Sequence, residues 1–319
     1  MAANDHKDMS LDEILSEIAR LKKERGAVVL AHNYQLPEVQ DLADFAGDSL
    51  ELARKGREVD EDVIVFAGVH FMAETAAMLA PEKTVLLPDP DAGCPMADMA
   101  DGPGLEKMRA EHPGSVVVCY VNSTAEVKAQ SDVCCTSSNA LDIVGRVPAE
   151  REIIFVPDRF LGAHAMKTTG RRMRLWPGHC PVHNKITLED VQAAREAHPD
   201  GIVMVHPECR EEVSEAADEV LSTGGMCAFA KKSDARTFLV GTEPGLLHRL
   251  RKENPGKTFA PVREDAICPD MKLTTPAAIL RSLERMETVV EVDEGIREAA
   301  AGAVEEMFAT GPITPRGER

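Results

Sequence analysis

Three of the eight cysteines share a neighbour. Cys94 in GCPMA (93–97), Cys180 in GHCPVH (178–183) and Cys268 in ICPDM (267–271) each precede a proline, at intervals of 86 and 88 residues. Three soft sulfurs brought to one point suit an iron–sulfur cluster or zinc. Four cysteines normally hold a [4Fe–4S] cluster, so three would leave one iron open to act as a Lewis acid on a hydroxyl or carbonyl. The proline removes a backbone N–H and stiffens each turn, as a fixed ligand geometry requires. No local CxxC spacing supports the metal reading, which therefore rests on the long repeat. Cys119, Cys134, Cys135, Cys209 and Cys227 read as small buried hydrophobes.

A second set of polar residues recurs with the same period. His32, Tyr120 and His206 align at one position, and Tyr34, Asn122 and Glu208 align two residues on, with Val121 and Pro207 between. Each pair follows an apolar run, so it belongs at the carboxyl end of a strand, where open α/β sheets bind ligands. A period of two puts both members of a pair on one face. Ser49, Ser137 and Thr223 also align, at intervals of 88 and 86. Hydroxyls at this place read as helix N-caps, and the free N–H groups beside them suit a carboxylate or phosphate. Three such anion holders imply a substrate with several acid groups.

The elements that must position these residues follow from the apolar runs. AVVLAHNY (27–34), SVVVCYVN (115–122) and GIVMVHPE (201–208) read as buried parallel strands starting 88 and 86 residues apart. Each is followed by a helix, a small polar knot and a second helix. A second strand comes next (DVIVFAGV, EIIFVPD, TFLVGTE), then another helix, a third strand running into the Cys-Pro turn, and a closing amphipathic helix. Strands alternating with helices at this spacing predict parallel sheets covered on both faces. A period this long predicts three homologous three-layer αβα domains, related by pseudo-threefold symmetry, rather than a solenoid. Their expected bounds are 20–112, 113–199 and 200–290, with a C-terminal helix and tail over 291–319.

Bulk properties narrow the class. The chain has 319 residues, 44% hydrophobic and 28% charged, enough for more than one core. Its net charge of -18 opposes binding to nucleic acid or anionic lipid. The opening MAANDHKDMSLDE lacks a signal pattern and no run reaches the length of a membrane span, so a cytoplasmic location with reduced thiols is expected.

In combination, AHNYQLPEVQDLADFAGDS, YVNSTAEVKAQSDVCCTSSNA, WPGHCPVH, HPEC, STGGM, GTEPGLLHRL and CPDMK closely resemble the quinolinate synthase family, over roughly residues 20–290. The resemblance implies three related α/β domains and an oxygen-sensitive [4Fe–4S] cluster held by Cys94, Cys180 and Cys268. It implies condensation of iminoaspartate with dihydroxyacetone phosphate to quinolinate, phosphate and two waters, and an aspartate oxidase or dehydrogenase as transient supplier of the imine. It implies substrate contacts from His32, Ser49, Tyr120, Val121, Asn122, Ser137, His206, Pro207, Glu208 and Thr223.

Such chemistry needs proton carriers. His32, Tyr34, Tyr120, His206 and Glu208 are the candidates, with Glu208 and Tyr34 foremost; His183, either beside the metal or capping a turn, is left outside the set. Where some relatives carry CxxCxxC at the third cysteine, Val262 and Asp265 stand here, which removes that form of thiol switching. Two other readings stay open: a zinc-dependent lyase or aldolase on the same scaffold, and a binding or electron-transfer module with a fourth cluster ligand.

Overall fold

The computed structural model describes residue 6 and residues 8–318. Among the described residues, twelve strands form three four-stranded parallel sheets flanked by helices. The first holds β1 (Ala27–His32), β2 (Phe45–Gly47), β3 (Val63–Ala67) and β4 (Thr84–Leu86). The second holds β5 (Val116–Tyr120), β6 (Val133–Cys135), β7 (Ile153–Val156) and β8 (Met173–Leu175). The third holds β9 (Ile202–Val205), β10 (Glu219–Val220), β11 (Thr237–Gly241) and β12 (Thr258–Pro261). Strand order is the same in all three, β2-β1-β3-β4, β6-β5-β7-β8 and β10-β9-β11-β12. The expected αβα layers with parallel sheets are therefore present three times.

The central strands are buried along their whole length in β1, β3, β5 and β7, which explains their runs of Val, Ile and Ala without polar alternation. One side-chain lock recurs in every repeat. The carboxylates of Asp44, Asp132 and Asp218 accept the N–H of Val29, Val117 and Val203 at 2.8, 2.7 and 2.8 Å. In return, the N–H of each aspartate donates to the carbonyl of the same valine at 3.0 Å. A cation from a preceding helix pairs with each: Lys22 with Asp44, Arg109 with Asp132 and Arg195 with Asp218.

Those cations sit on the helices Leu11–Arg25, Gly102–Glu111 and Leu188–Ala197. The spacing predicts that the second and third of these close the repeats before them; the second instead packs on the helix Ala125–Ala129 of the following repeat, and the third on β11 and the helix Glu211–Ala216. The last such helix, Pro276–Arg285, likewise packs on Leu11–Arg25 and β3, burying Ile279, Leu280 and Leu283 with Ile14, Ile18, Leu21 and Val29. A period in sequence establishes the length of a repeat but not its phase, so the boundaries could be drawn on either side of these helices.

The contacts divide the chain into two compact units. The first takes the chain to Cys94 together with Cys268–Val292, and the second takes Pro95–Ile267 together with the chain from Asp293. The first unit holds the first sheet. The second unit holds the other two sheets and the C-terminal helix Glu294–Glu305, which covers the edge strand β6 and the short helix Ala125–Ala129. No helix among the described residues is long and apolar enough to cross a membrane.

Asp132 is fully buried and also accepts the N–H of Arg316 at 2.8 Å. Asp132→Ala would leave two backbone donors and Arg109 without this acceptor, which is expected to cost about 2–4 kcal/mol. Asp218 is half-exposed, so Asp218→Ala is expected to cost less. Urea unfolding of the two variants beside the parent checks this; equal midpoints for all three proteins would contradict it.

Candidate active site

In the second unit, β5 ends at Tyr120 and β9 runs out into His206-Pro207-Glu208, so the polar residues stand at carboxyl strand ends as expected. Their side chains meet. Tyr120 Oη donates to Glu208 Oε1 at 2.6 Å, and His183 Nδ1 lies 2.7 Å from Glu208 Oε2. His206 Nδ1 accepts the Glu208 N–H at 3.4 Å, and its Nε2 lies 3.2 Å from Ser137 Oγ. The His183 and His206 rings stack with centroids 4.7 Å apart. His183 Nε2 lies 2.8 Å from the Thr242 hydroxyl, completing a Thr242–His183–Glu208 relay.

Tyr120, His183, His206, Glu208 and Thr242 are each at least nine-tenths buried, and Ser137 is partly buried. Burial alone pushes the Glu208 carboxyl up, but the charges of His183 and His206 and the hydrogen bonds from His183 and Tyr120 outweigh it, holding the group at about 2. Glu208 is therefore ionised at neutral pH. A carboxylate at this distance draws a His183 hydrogen to Nδ1 while Nε2 lies within hydrogen-bond reach of the Thr242 hydroxyl, the relation of orienting acid to base found in hydrolytic triads.

The same imidazole reaches Cys180, whose Sγ lies 3.2 Å from His183 Nδ1. Cys180 Sγ, a His183 nitrogen and a Glu208 oxygen lie within 4.8 Å of one another, a group able to hold a metal ion. Cys94, Cys180 and Cys268 are all partly exposed, whereas Cys119, Cys134, Cys135, Cys209 and Cys227 are buried in the layers, as expected of inert thiols. Each of the first three follows the last strand of its sheet and precedes a single 3-10 turn, at Ala97–Met99, His183–Lys185 and Asp270–Lys272. Each is an accessible sulfur on a proline-stiffened turn, a donor type that fits a soft metal or a cluster.

Other expected residues fall nearby in the second unit. Asn122 Oδ1 is buried with no hydrogen-bond partner among the described residues, a costly arrangement unless a bound molecule supplies a donor. Thr223 is the first residue of the helix Thr223–Lys232, and its cap is the preceding Ser222, which accepts the Gly225 N–H at 3.1 Å and the Ser138 hydroxyl at 2.8 Å. Ser49, in the first unit, likewise follows its cap, Asp48. Ser49 and Thr223 thus stand one residue after their caps, and Ser137 stands two residues before Asn139, the N-cap position of the helix Ala140–Arg146. Val121 has a buried apolar side chain and its N–H is taken by the Cys135 carbonyl, and Pro207 has no N–H; each can offer a ligand only its carbonyl oxygen as a hydrogen-bonding group.

In the first unit, His32 ends β1, and its ring meets that of Tyr34 edge-on with centroids 4.6 Å apart. The Tyr34 N–H donates to His32 Nδ1 at 3.2 Å, and the Lys272 ammonium donates to the Tyr34 carbonyl. Gln35 Nε2 lies 3.4 Å from Met271 Sδ, so the turn after Cys268 is tied directly to the Tyr34 loop.

The sequence alone left His183 outside the cluster it joins here and did not point to Thr242 or Asp158. The available signal was the strand-end rule applied to the second strand of each repeat: β7 runs into Asp158 and β11 into Thr242.

A family model described as Quinolinate synthetase A protein matches residues 16–309. A quinolinate synthase of Dehalococcoides mccartyi is 57% identical over 297 residues, covering 93% of this chain and 98% of that protein. Quinolinate synthases of Thermodesulfovibrio yellowstonii and Thermus thermophilus are 53% and 51% identical, covering 93% and 94% of this chain and 98% of each relative.

Proposed function

The chain belongs to the quinolinate synthetase A family, and we propose that it condenses iminoaspartate with dihydroxyacetone phosphate to give quinolinate, phosphate and two waters. The observation that carries this reading is the buried Tyr120–Glu208–His183 relay beside the Cys180 thiol. Ring formation joins one C–C and one C–N bond, expels phosphate and loses two hydroxyls as water. Each elimination needs a base for a proton and an acid for the departing oxygen.

The residues divide these tasks by position and charge. Glu208 stays ionised, orients His183 and stabilises the imidazolium formed when His183 takes a proton. Tyr120 hands a hydrogen bond to Glu208 and can return a proton to oxygen. Tyr34, backed by His32, is the second proton carrier. His206, Asn122, Ser137, Ser49 and Thr223 hold the carboxylates and the phosphate, with the carbonyls of Val121 and Pro207 available to donors; the helix N-terminus at Thr223 presents its positive dipole end to an anion.

Cys94, Cys180 and Cys268 would each give one thiolate to a [4Fe–4S] cluster. Held by three protein ligands, such a cluster would supply a Lewis-acidic iron for a hydroxyl or carbonyl oxygen of the substrate. We place the enzyme in the cytoplasm, supplied by an aspartate oxidase or dehydrogenase, because the imine hydrolyses in water and gains from a nearby source.

One observation favours a second reading: the Cys180, His183 and Glu208 ligand atoms lie close enough to hold a single zinc ion. That would occupy the Glu208 oxygens that Tyr120 and His183 already use. Anaerobic assay of the reconstituted protein with both substrates tests the proposal. Quinolinate and phosphate formed in equal amounts are expected; a fully metallated protein that forms neither would overturn it.

A further inference from the structure

We propose that Asp158 is a positioning residue for the Cys180 sulfur, an inference that rests on reading Cys180 as a metal ligand. Asp158 is fully buried at the end of β7 and joins three backbone donors. Its Oδ1 accepts the N–H of Phe160 and of Leu161 at 2.8 Å each, capping the helix Arg159–Thr169. Its Oδ2 accepts the N–H of Cys180 at 3.2 Å. One carboxyl group thus ties the start of a rigid helix to the backbone of the cysteine. His183 Nδ1 lies 3.2 Å from the sulfur itself, so Cys180 is fixed from both sides.

The surrounding backbone leaves this loop little freedom. Arg159 N–H donates to the Gly178 carbonyl at 2.9 Å, and a Cβ added at Gly178 would stand 2.5 Å from the Pro157 oxygen. The loop before the cysteine therefore lies directly on the Asp158 segment, at an approach that glycine alone permits.

The first repeat provides an internal comparison. There the His70 N–H donates to the Ala92 carbonyl at 2.8 Å, the counterpart of the Arg159–Gly178 bond, with each acceptor two residues before its cysteine. The residue before the donor is Val69 rather than an aspartate, and it offers no side-chain cap. The first repeat thus has no carboxyl brace at this place, whereas in the second repeat the braced cysteine also neighbours His183 and Glu208. The brace sets the sulfur, and any metal upon it, at a constant place relative to those two groups.

Asp158→Ser separates capping from positioning. Serine is a good helix N-cap, but its hydroxyl is too short to serve the helix and the Cys180 N–H together. In metal-free protein, Cys180 in the Ser variant should react several-fold faster with a maleimide, located by peptide mapping, while Cys94 reacts at the parent rate. In anaerobically reconstituted protein, iron should be lost several-fold faster to a chelator, and the electron paramagnetic resonance spectrum of the reduced protein should change. Asp158→Ala should add a loss of thermal stability through the missing cap. Should the Ser variant fail to fold, Asp158→Asn is read in the same way, since its amide cannot accept from both sides.

An Asp158→Ser protein with parent-like Cys180 reactivity, iron retention and spectrum would overturn the proposal. If Cys180→Ala retained all its metal, the ligand reading would fall, but the metal-free thiol rates would still decide whether Asp158 braces the loop.

Discussion

Glu208→Gln is expected to lower kcat by about a thousandfold while the protein keeps its fold and its metal. The substitution preserves shape and removes charge. Tyr120 can still donate to the amide oxygen, so the cost falls on the other side, where His183 Nδ1 lies 2.7 Å from the carboxylate. An amide N–H presented to Nδ1 favours the tautomer with hydrogen on Nε2, facing the Thr242 hydroxyl and unable to accept from it. The imidazolium formed on proton uptake also loses its counter-charge in a buried site, where that charge matters most. The loss should appear in kcat more than in KM, because the interaction strengthens as charge develops. Steady-state kinetics with parallel iron analysis checks it; quinolinate formation at the parent rate would remove Glu208 from its role.

Cys180→Ala is expected to reduce bound iron and quinolinate formation to background. The change removes a single partly exposed sulfur, so it should disturb the fold little. Loss of activity would then follow from loss of the ligand rather than from unfolding. Cys135→Ala is the control. Cys135 lies fully buried in β6, outside the accessible donor set, and its truncation should cost about 1 kcal/mol of stability and leave iron and turnover unchanged. Iron, sulfide and turnover measured on both variants separate the two cases. A Cys180→Ala protein with parent iron content, or a Cys135→Ala protein without iron, would contradict the assignment.

Much of this architecture could be read from residue order. Fully buried parallel strands need unbroken runs such as AVVLAH and SVVVCY, and three such runs in register with three Cys-Pro pairs imply three sheets. The rule that ligands gather at carboxyl strand ends led directly to Tyr120, His206 and Glu208, because a strand's end is visible where apolar residues give way to polar ones.

Two things were hidden for physical reasons. The phase of the repeat depends on which sheet an amphipathic helix covers, and the stripe of Pro276–Arg285 fits the first sheet as readily as the third until the chain is folded. The roles of His183, Thr242 and Asp158 depend on contacts between residues 22 to 59 positions apart, made by loops whose direction no local pattern specifies. His183 stood three residues from a proposed ligand, yet its partner Glu208 comes from another repeat, and only the fold joins them.

The most direct measurement is the metal content of the protein purified without oxygen, with iron, acid-labile sulfide and zinc determined on one sample. A brown protein with iron and sulfide in equal amounts and negligible zinc is expected. A colourless protein with one zinc ion per chain, fully active on both substrates, would contradict it.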